Sequence, residues 1–358
     1  MEYRKGHSWN LGRLPALDGL RGLAILLVLL CHLGFPFMSG AGAAGVTVFF
    51  VLSGFLITSL LVRGLQEGGR RHLPTFYFRR VRRLFPALAA LLVVVTTIDL
   101  MSGDWAHIAG RVVPALLYVY NWICVSTPVT GDPIGQVWSL SIEEQFYLLW
   151  PMALLIALHY GGTNMAFRVA IIGAAASLID RVVLVAIVHA STLRVYFASD
   201  TNALALMVGC ALALALSQGR IPRLPGVVSA YASVAIFGVC AGSAYGNGFD
   251  FTLINPLLTT TATAVLIARV VTAGGGGGLN WRASRELGRV SYSLYLWQTP
   301  VILWGDNWLS GVPFAARVPV LAAVSLGCAV VSYRYIEAPM RRLGGHRRPA
   351  LLRPAAAA

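Results

Sequence analysis

Long apolar segments separated by short polar loops run through the whole sequence. Each segment is roughly 18 to 25 residues long, which lets a helix cross a hydrocarbon layer of about 30 Å. The short alternating strands of a membrane barrel are not seen. The pattern therefore predicts an all-α polytopic membrane protein with about ten transmembrane helices. They are expected near residues 15–33, 44–63, 84–101, 138–159, 166–189, 200–217, 226–244, 255–272, 287–305 and 316–337.

Residues 106–123 form a marginal segment, because it is short and holds His107, Arg111 and Pro114. The positive-inside rule places basic loops on the cytoplasmic side. If this segment does not cross, the arginine cluster at 63–83 and the later arginine clusters share the side of the basic N-terminus. The sequence therefore predicts that the segment is a re-entrant or surface helix on the outer side and that both termini are cytoplasmic.

Composition agrees with this class, since 57% of the residues are hydrophobic and 12% are charged, with a mean hydropathy of +0.70. The net charge is +14, but the basic residues lie in loops between apolar segments, so membrane topology explains them better than a nucleic-acid ligand. Five scattered cysteines without a CxxC pair predict neither a metal site nor a disulfide framework. We expect a cytoplasmic segment at 1–14, a membrane domain at 15–342 and a disordered cytoplasmic tail at 343–358.

The first apolar segment carries polar side chains near both ends. Arg21 and His32 are about three helical turns apart, so they project from one stripe of the helix. One interpretation is that Asp18 and Arg21 anchor the helix at the interface and that His32 lies near the outer headgroups. The other is that the ionisable groups face a polar cavity, because a charge facing lipid costs about 2.5 kcal/mol or more. This helix alone leaves both open.

A second polar cluster begins the fourth predicted span. Ser139 or Ser141 can cap a helix there, with Glu143 and Glu144 in its first turn, where the helix dipole favours negative charge. In the predicted topology this span starts on the outer side, at the depth of His32. A carboxylate of this cluster and the imidazole are then expected to meet across two helices.

Six sequence blocks, taken in order, resemble the acyltransferase type 3 family of membrane O-acyltransferases. One block alone is weak evidence, but together they extend over about residues 15–342. The blocks are LDGLRGLAILLVLLCH (17–32), FFVLSGFLIT (49–58), FYFRRVRRLFP (76–86), WSLSIEEQFYLLWP (138–151), SYSLYLWQTP (291–300) and SYRYIEAPMRR (332–342).

The resemblance implies roles for residues within these blocks. The family's arginine and histidine, separated by ten residues, fall on Arg21 and His32. The family's acidic residue in the WSLSxE block falls on Glu143, with Glu144 the weaker catalytic candidate. The resemblance implies that His32 acts as general base, since an ordinary imidazole pKa of about 6.5 suits that task. Glu143 would orient the imidazole.

The resemblance further implies that acyl-CoA, most often acetyl-CoA, is the donor substrate, with no permanently bound cofactor. The acceptor is expected to be a hydroxyl of a sugar or of a glycosylated molecule. Arg21, Arg80 and Arg83 are expected to bind the acyl-CoA phosphates, because guanidinium groups bind phosphate bidentately. About half of the arginines at 63–83 are expected only to contact lipid phosphates.

Four further residues are expected to line the substrate cavity. Gln298 stands where the family commonly has histidine, so substrate positioning is expected to differ there. Ser53 is a conceivable acyl carrier, although a Ser–Gly pair also serves close helix packing. The four are Ser53, Tyr147, Tyr292 and Gln298.

Two rival functions stay open at this point. The same intramembrane ionisable residues could form the proton relay of a transporter or flippase, and Gln298 is compatible with a non-catalytic relative. Many relatives carry a secreted esterase-like domain after the last helix, and we expect none here. The expected location is the bacterial plasma (inner) membrane, with lipids, acyl-CoA and the acceptor as partners.

Overall fold

The computed structural model describes residues 14–68, 72–221, 223–242, 249–273 and 277–342. These residues form helices and loops without a β-strand, which confirms the predicted all-α class. Nearly all of the predicted N-terminal segment and the whole predicted tail lie outside the described residues. The α-helices are α1 (Pro15–His32), α2 (Ala41–Gly68), α3 (His72–Ser102), α4 (Trp105–His107), α5 (Val113–Leu116), α6 (Tyr120–Cys124), α7 (Val137–Ala186), α8 (Thr192–Phe197), α9 (Ser199–Ser217), α10 (Gly226–Gly242), α11 (Asn255–Ala273), α12 (Arg282–Trp308), α13 (Phe314–Ser332) and α14 (Ala338–Arg342).

Among the described residues, seven helices are long and apolar enough to cross a membrane, so the chain is a multi-pass membrane protein. One of them, α7, contains two of the predicted spans. Its backbone leaves helical geometry at Gly161 and Gly162, and this kink separates the two spans. Two further predicted spans correspond to the shorter α10 and to α12, which carries several charged residues. The total number of spans and the side of the termini stay predictions.

The segment predicted to lie on the outer surface is not one continuous helix. It consists of α4, a π-helical stretch at Ile108–Val112, α5 and α6. Between α5 and α6, Tyr118 has a left-handed backbone with φ of 56°. Each of these pieces is much shorter than the roughly 20 residues that a membrane-spanning helix needs.

Glycines allow two pairs of helices to pack backbone against backbone. A Cβ atom on Gly22 of α1 would clash with the carbonyl oxygen of Ser284 in α12. A Cβ atom on Gly54 of α2 would likewise clash with the carbonyl oxygen of Leu206 in α9. Small residues at such contacts are typical of membrane helix packing. Gly54 therefore provides the close packing expected of the Ser–Gly pair, and these contacts hold α1 against α12 and α2 against α9.

Five polar side chains near α4 form a cluster that we call the surface network. His107 contacts Asp99 through Nδ1 at 2.7 Å and Asp132 through Nε2 at 3.3 Å. Arg111 donates to Asp132 at 2.5 Å, and the Tyr120 hydroxyl also donates to Asp132. The hydrogen bond with Asp132, aided by Asp99, raises the pKa of His107 to about 9. The network thus fastens the α4–α6 segment to the end of α3 and to the loop before α7.

Candidate functional site

A cavity of about 630 Å³ lies between α1, α2, α3, α7, α12 and the C-terminal helical stretch 333–342. Its size falls within the range of sites that bind small molecules and cofactors. Seven of the residues predicted for binding or chemistry line it together, although they come from five helices. They are Arg21, Ser53, Arg80, Arg83, Glu143, Tyr147 and Tyr292.

Positive charge dominates the lining of this cavity. Two carboxylates, Asp18 and Glu143, face it together with six arginines. Such an excess of one sign in a cleft with apolar walls attracts ligands of the opposite charge. The six are Arg21, Arg63, Arg80, Arg83, Arg289 and Arg341.

Two of these arginines retain donors that the protein only partly uses. Arg21 donates to the neutral hydroxyl of Ser291 at 3.2 Å and lies 5.9 Å from the centre of the Phe49 ring. The Nε of Arg83 is buried and has no hydrogen-bond partner among the described residues. Because buried donors are normally paired, the unpaired Nε shows that Arg83 is a guanidinium that acceptors of the described residues do not saturate.

A hydroxyl and a carboxylate meet inside the cavity. Ser53, in the middle of α2, donates from its Oγ to Oε1 of Glu143, in the second turn of α7, at 2.6 Å. Both side chains are half-buried and line the cavity. This distance is ordinary for a hydroxyl–carboxylate hydrogen bond, so the structure pairs a potential nucleophile with a potential proton acceptor.

The neighbouring glutamate has a different environment. Arg80 donates from Nε to Oε1 of Glu144 at 3.1 Å, and its guanidinium lies over the Tyr147 ring, 3.0 Å from the centroid. Glu144 is not among the residues that line the cavity. Its place is therefore beside the cavity, where it orients Arg80.

Tyrosines of α12 connect α3 and the first turn of α7 to the cavity wall. Tyr292 donates from its hydroxyl to the backbone carbonyl of Leu84 at 2.7 Å. Tyr295 and Ser139 share a hydrogen bond of 2.6 Å between their hydroxyls. The predicted helix cap is wrong: α7 begins at Val137 without a side-chain cap, because Ser139 is already inside the helix and bonds across to α12.

His32 lies apart from these residues. It is the last residue of α1, it is exposed, and its Nδ1 is 2.8 Å from the carbonyl oxygen of Val28 on its own helix. It does not line the cavity, and the expected meeting with Glu143 is not seen, since Glu143 pairs with Ser53. The role of His32 as general base stays a prediction.

Gln298 is fully buried but also lies outside the cavity lining. Neither its Nε2 nor its Oε1 has a hydrogen-bond partner in the part of the chain that the structure describes. The expectation that it contacts substrate therefore stays a prediction.

Sequence reasoning missed two arginines of the cavity. Arg289, at the start of α12, bonds to Glu286 at 2.8 Å, and Arg341, in α14, bonds to Glu337 at 3.4 Å. Arg341 belongs to the SYRYIEAPMRR block, so the resemblance contained a signal for it. Arg79, which lies on α3 beside Arg80, is exposed and lies outside the cavity lining.

Comparison with curated proteins finds relatives that are named as O-acetyltransferases. The peptidoglycan O-acetyltransferase OatA of Listeria monocytogenes is 30% identical over 92% of this chain and 56% of its own length. The O-acetyltransferase OatA of Staphylococcus aureus is 31% identical over 92% of this chain and 58% of its own length. YrhL of Bacillus subtilis is 33% identical over 92% of this chain and 55% of its own length. The chain thus spans somewhat more than half the length of these relatives.

No solved structure matches the chain at a significant level. The model of the acyltransferase domain of the type 3 family matches residues 14–334, which is most of the chain. This match includes five of the six resembling blocks in full, and every residue of the cavity except Ala338 and Arg341. The chain therefore belongs to the acyltransferase type 3 family.

Proposed function

We propose that this protein is an integral-membrane O-acetyltransferase that moves an acetyl group from acetyl-CoA to a hydroxyl of a glycan. The observation that carries this proposal is the arginine-lined cavity that also holds the Ser53–Glu143 pair, in a chain of the acyltransferase family. The names of the relatives favour a peptidoglycan sugar as the first acceptor to test.

The arrangement of the cavity suits a long donor with an anionic end. Arg63 lies ten residues beyond Ser53 on α2, which corresponds to about 15 Å along the helix axis. A pantetheine arm can bridge such a separation, leaving the CoA phosphates at the arginines and the thioester near Ser53 and Glu143. Arg83 and Arg341 also line the cavity and add guanidinium groups, each of which can bind oxygens in a bidentate manner.

Acetyl transfer to a sugar also needs a group that accepts the proton of a neutral hydroxyl. Glu143 is the carboxylate that lines the cavity beside a hydroxyl, and its contact with Ser53 shows that its Oε1 is accessible to a donor. Because Glu144 is held by Arg80 outside the lining, we assign proton acceptance to Glu143. His32 does not line the cavity, so as general base it would have to accept the proton from outside the cavity lining.

The test measures CoA release from acetyl-CoA by the purified full chain in lipid nanodiscs, offered a soluble peptidoglycan fragment. We expect release that depends on the fragment and that Glu143→Gln lowers about 100-fold or more, because general acid–base catalysis contributes about 10²–10⁴-fold. His32→Ala, measured in parallel, tests the other predicted base. Thr47→Val is a matched control, since Thr47 donates to Ala43 of its own helix at 2.9 Å and does not line the cavity.

Absence of CoA release with every glycan fragment would contradict the proposal. The transporter or flippase alternative would then gain support, because a transporter does not consume the thioester. Release that survives Glu143→Gln but not His32→Ala would keep the function and move the base to His32.

A further inference from the structure

The Ser53–Glu143 pair contains a hydroxyl group as well as a proton acceptor, and both groups face the cavity. Ser53 presents its oxygen to a cavity that is large enough for a donor substrate, and that oxygen already donates its proton toward a carboxylate at 2.6 Å. A serine hydroxyl becomes an effective nucleophile when a neighbouring base takes its proton during attack. The hydroxyl and its base come from different helices, α2 and α7, so the pairing depends on the fold.

From this geometry we infer that Ser53 is the nucleophile of the reaction and carries the acetyl group between donor and acceptor, with Glu143 as its base. The inference rests on the proposed function, because it requires acetyl-CoA as donor. Ser53 is then a catalytic residue for which the family resemblance gave only a conceivable role.

In the first step an ester C–O bond forms at Ser53 and the thioester C–S bond breaks. The Ser53 oxygen attacks the thioester carbonyl, its proton moves to Glu143, and the C–S bond breaks. The departing thiolate takes the proton from Glu143, which yields CoA and an acetyl ester on Ser53. In the second step a sugar hydroxyl attacks this ester, gives its proton to Glu143, and Ser53 regains a proton as the acetylated sugar leaves.

The surroundings of the pair fit this sequence of steps. Gly54, the next residue, lets α2 approach the backbone of α9 closely, which fixes the position of the Ser53 backbone. Arg80 donates to Glu144 and lies over the Tyr147 ring, so its guanidinium already has a carboxylate partner. Glu143 therefore stays available to Ser53 rather than forming an ion pair with Arg80.

A covalent acetyl-enzyme predicts a partial reaction in the absence of acceptor. The full chain in nanodiscs should exchange labelled CoA into acetyl-CoA without any glycan present. Acid quenching and peptide mass spectrometry should find an acetyl ester on Ser53 in the wild type and in the control Thr47→Val. We expect Ser53→Ala to lose the ester and to lower the exchange about 100-fold or more, and Glu143→Gln to slow the exchange to a similar extent.

The outcomes separate this inference from the proposed function. If Ser53→Ala still releases CoA and acetylates the glycan at the wild-type rate, Ser53 is not the nucleophile, while the acetyltransferase function stands. If the wild type transfers acetyl to glycan but shows no exchange without it, transfer is direct and the inference is wrong. If the wild type consumes no acetyl-CoA with any acceptor, both the function and the inference are wrong. A folded Ser53→Ala variant is shown by a melting temperature equal to that of Thr47→Val.

Discussion

The cavity and the surface network are both rich in charged side chains, but they use charge differently. In the surface network, Asp132 accepts hydrogen bonds from His107, Arg111, Tyr120 and the backbone N–H of Ile134. In the cavity, six arginines face two carboxylates. In the surface network each charge has a partner within the protein, so the charges hold a segment of chain in place. In the cavity the excess of positive charge attracts an anionic ligand.

We therefore assign a structural role to the surface network and a binding role to the cavity. The difference between the two regions is clearest at Asp132 and Arg83. The buried Nε of Arg83 has no partner among the described residues, while both carboxylate oxygens of Asp132 are engaged. A substitution in the cavity should therefore alter ligand affinity, and a substitution in the network should alter stability.

The largest effect that separates the two regions is expected from Arg83→Gln. A hydrogen bond to a charged group contributes about 1.5–3 kcal/mol, so the Kd for CoA should rise about 10-fold to 100-fold. Isothermal titration calorimetry on the nanodisc-embedded protein measures this change. Arg79→Gln is the matched control, because Arg79 lies on the same helix but is exposed and outside the cavity lining. Equal affinities for the two variants would remove the binding role from the cavity arginines.

An effect of the opposite kind is expected from Asp132→Asn. The substitution leaves Arg111 and protonated His107 without their shared carboxylate, and we expect the free energy of unfolding to fall by about 1–3 kcal/mol. Unfolding of the detergent-solubilised protein by heat or denaturant measures the loss. Asp250→Asn, at an exposed aspartate, is the control. An unchanged stability together with a weakened affinity for CoA would reverse the assignment of the two regions.

The sequence was sufficient to predict the helices and much of the cavity, because each depends on patterns that a chain displays locally. Apolar length predicted the helices, and the resembling blocks predicted Arg21, Arg83 and Glu143. Arg21 and His32 both lie on α1, but helical periodicity does not say where along the helix a cavity ends. Only the packing of α2 and α12 against α1 sets that depth.

The sequence could not predict which side chains on different helices form hydrogen bonds with each other. Ser53 and Glu143 are 90 residues apart, and periodicity on each helix does not reveal which side chains meet between helices. The same limit applies to Ser139, which looked like a cap because serine often occupies helix starts. Its actual partner is Tyr295, 156 residues away.

The smallest predicted effect is a dependence of stability on pH that originates in the surface network, because solvent screens the ion pairs of the partly exposed His107. Asp132, followed by Asp99, raises the pKa of His107 from 6.5 to about 9, so the folded state holds the proton more tightly than the unfolded chain does. The stabilisation is therefore complete below about pH 6.5 and disappears as the pH rises through about 9, with a slope of at most about 1.4 kcal/mol per pH unit. Burial raises the pKa of Tyr120, so this phenol stays neutral across that window.

Melting temperatures recorded from pH 6 to 10 should fall more steeply for the wild type than for His107→Gln. Parallel curves for the two proteins would show that His107 is not charged in the network, and that the network holds its segment through Arg111 instead.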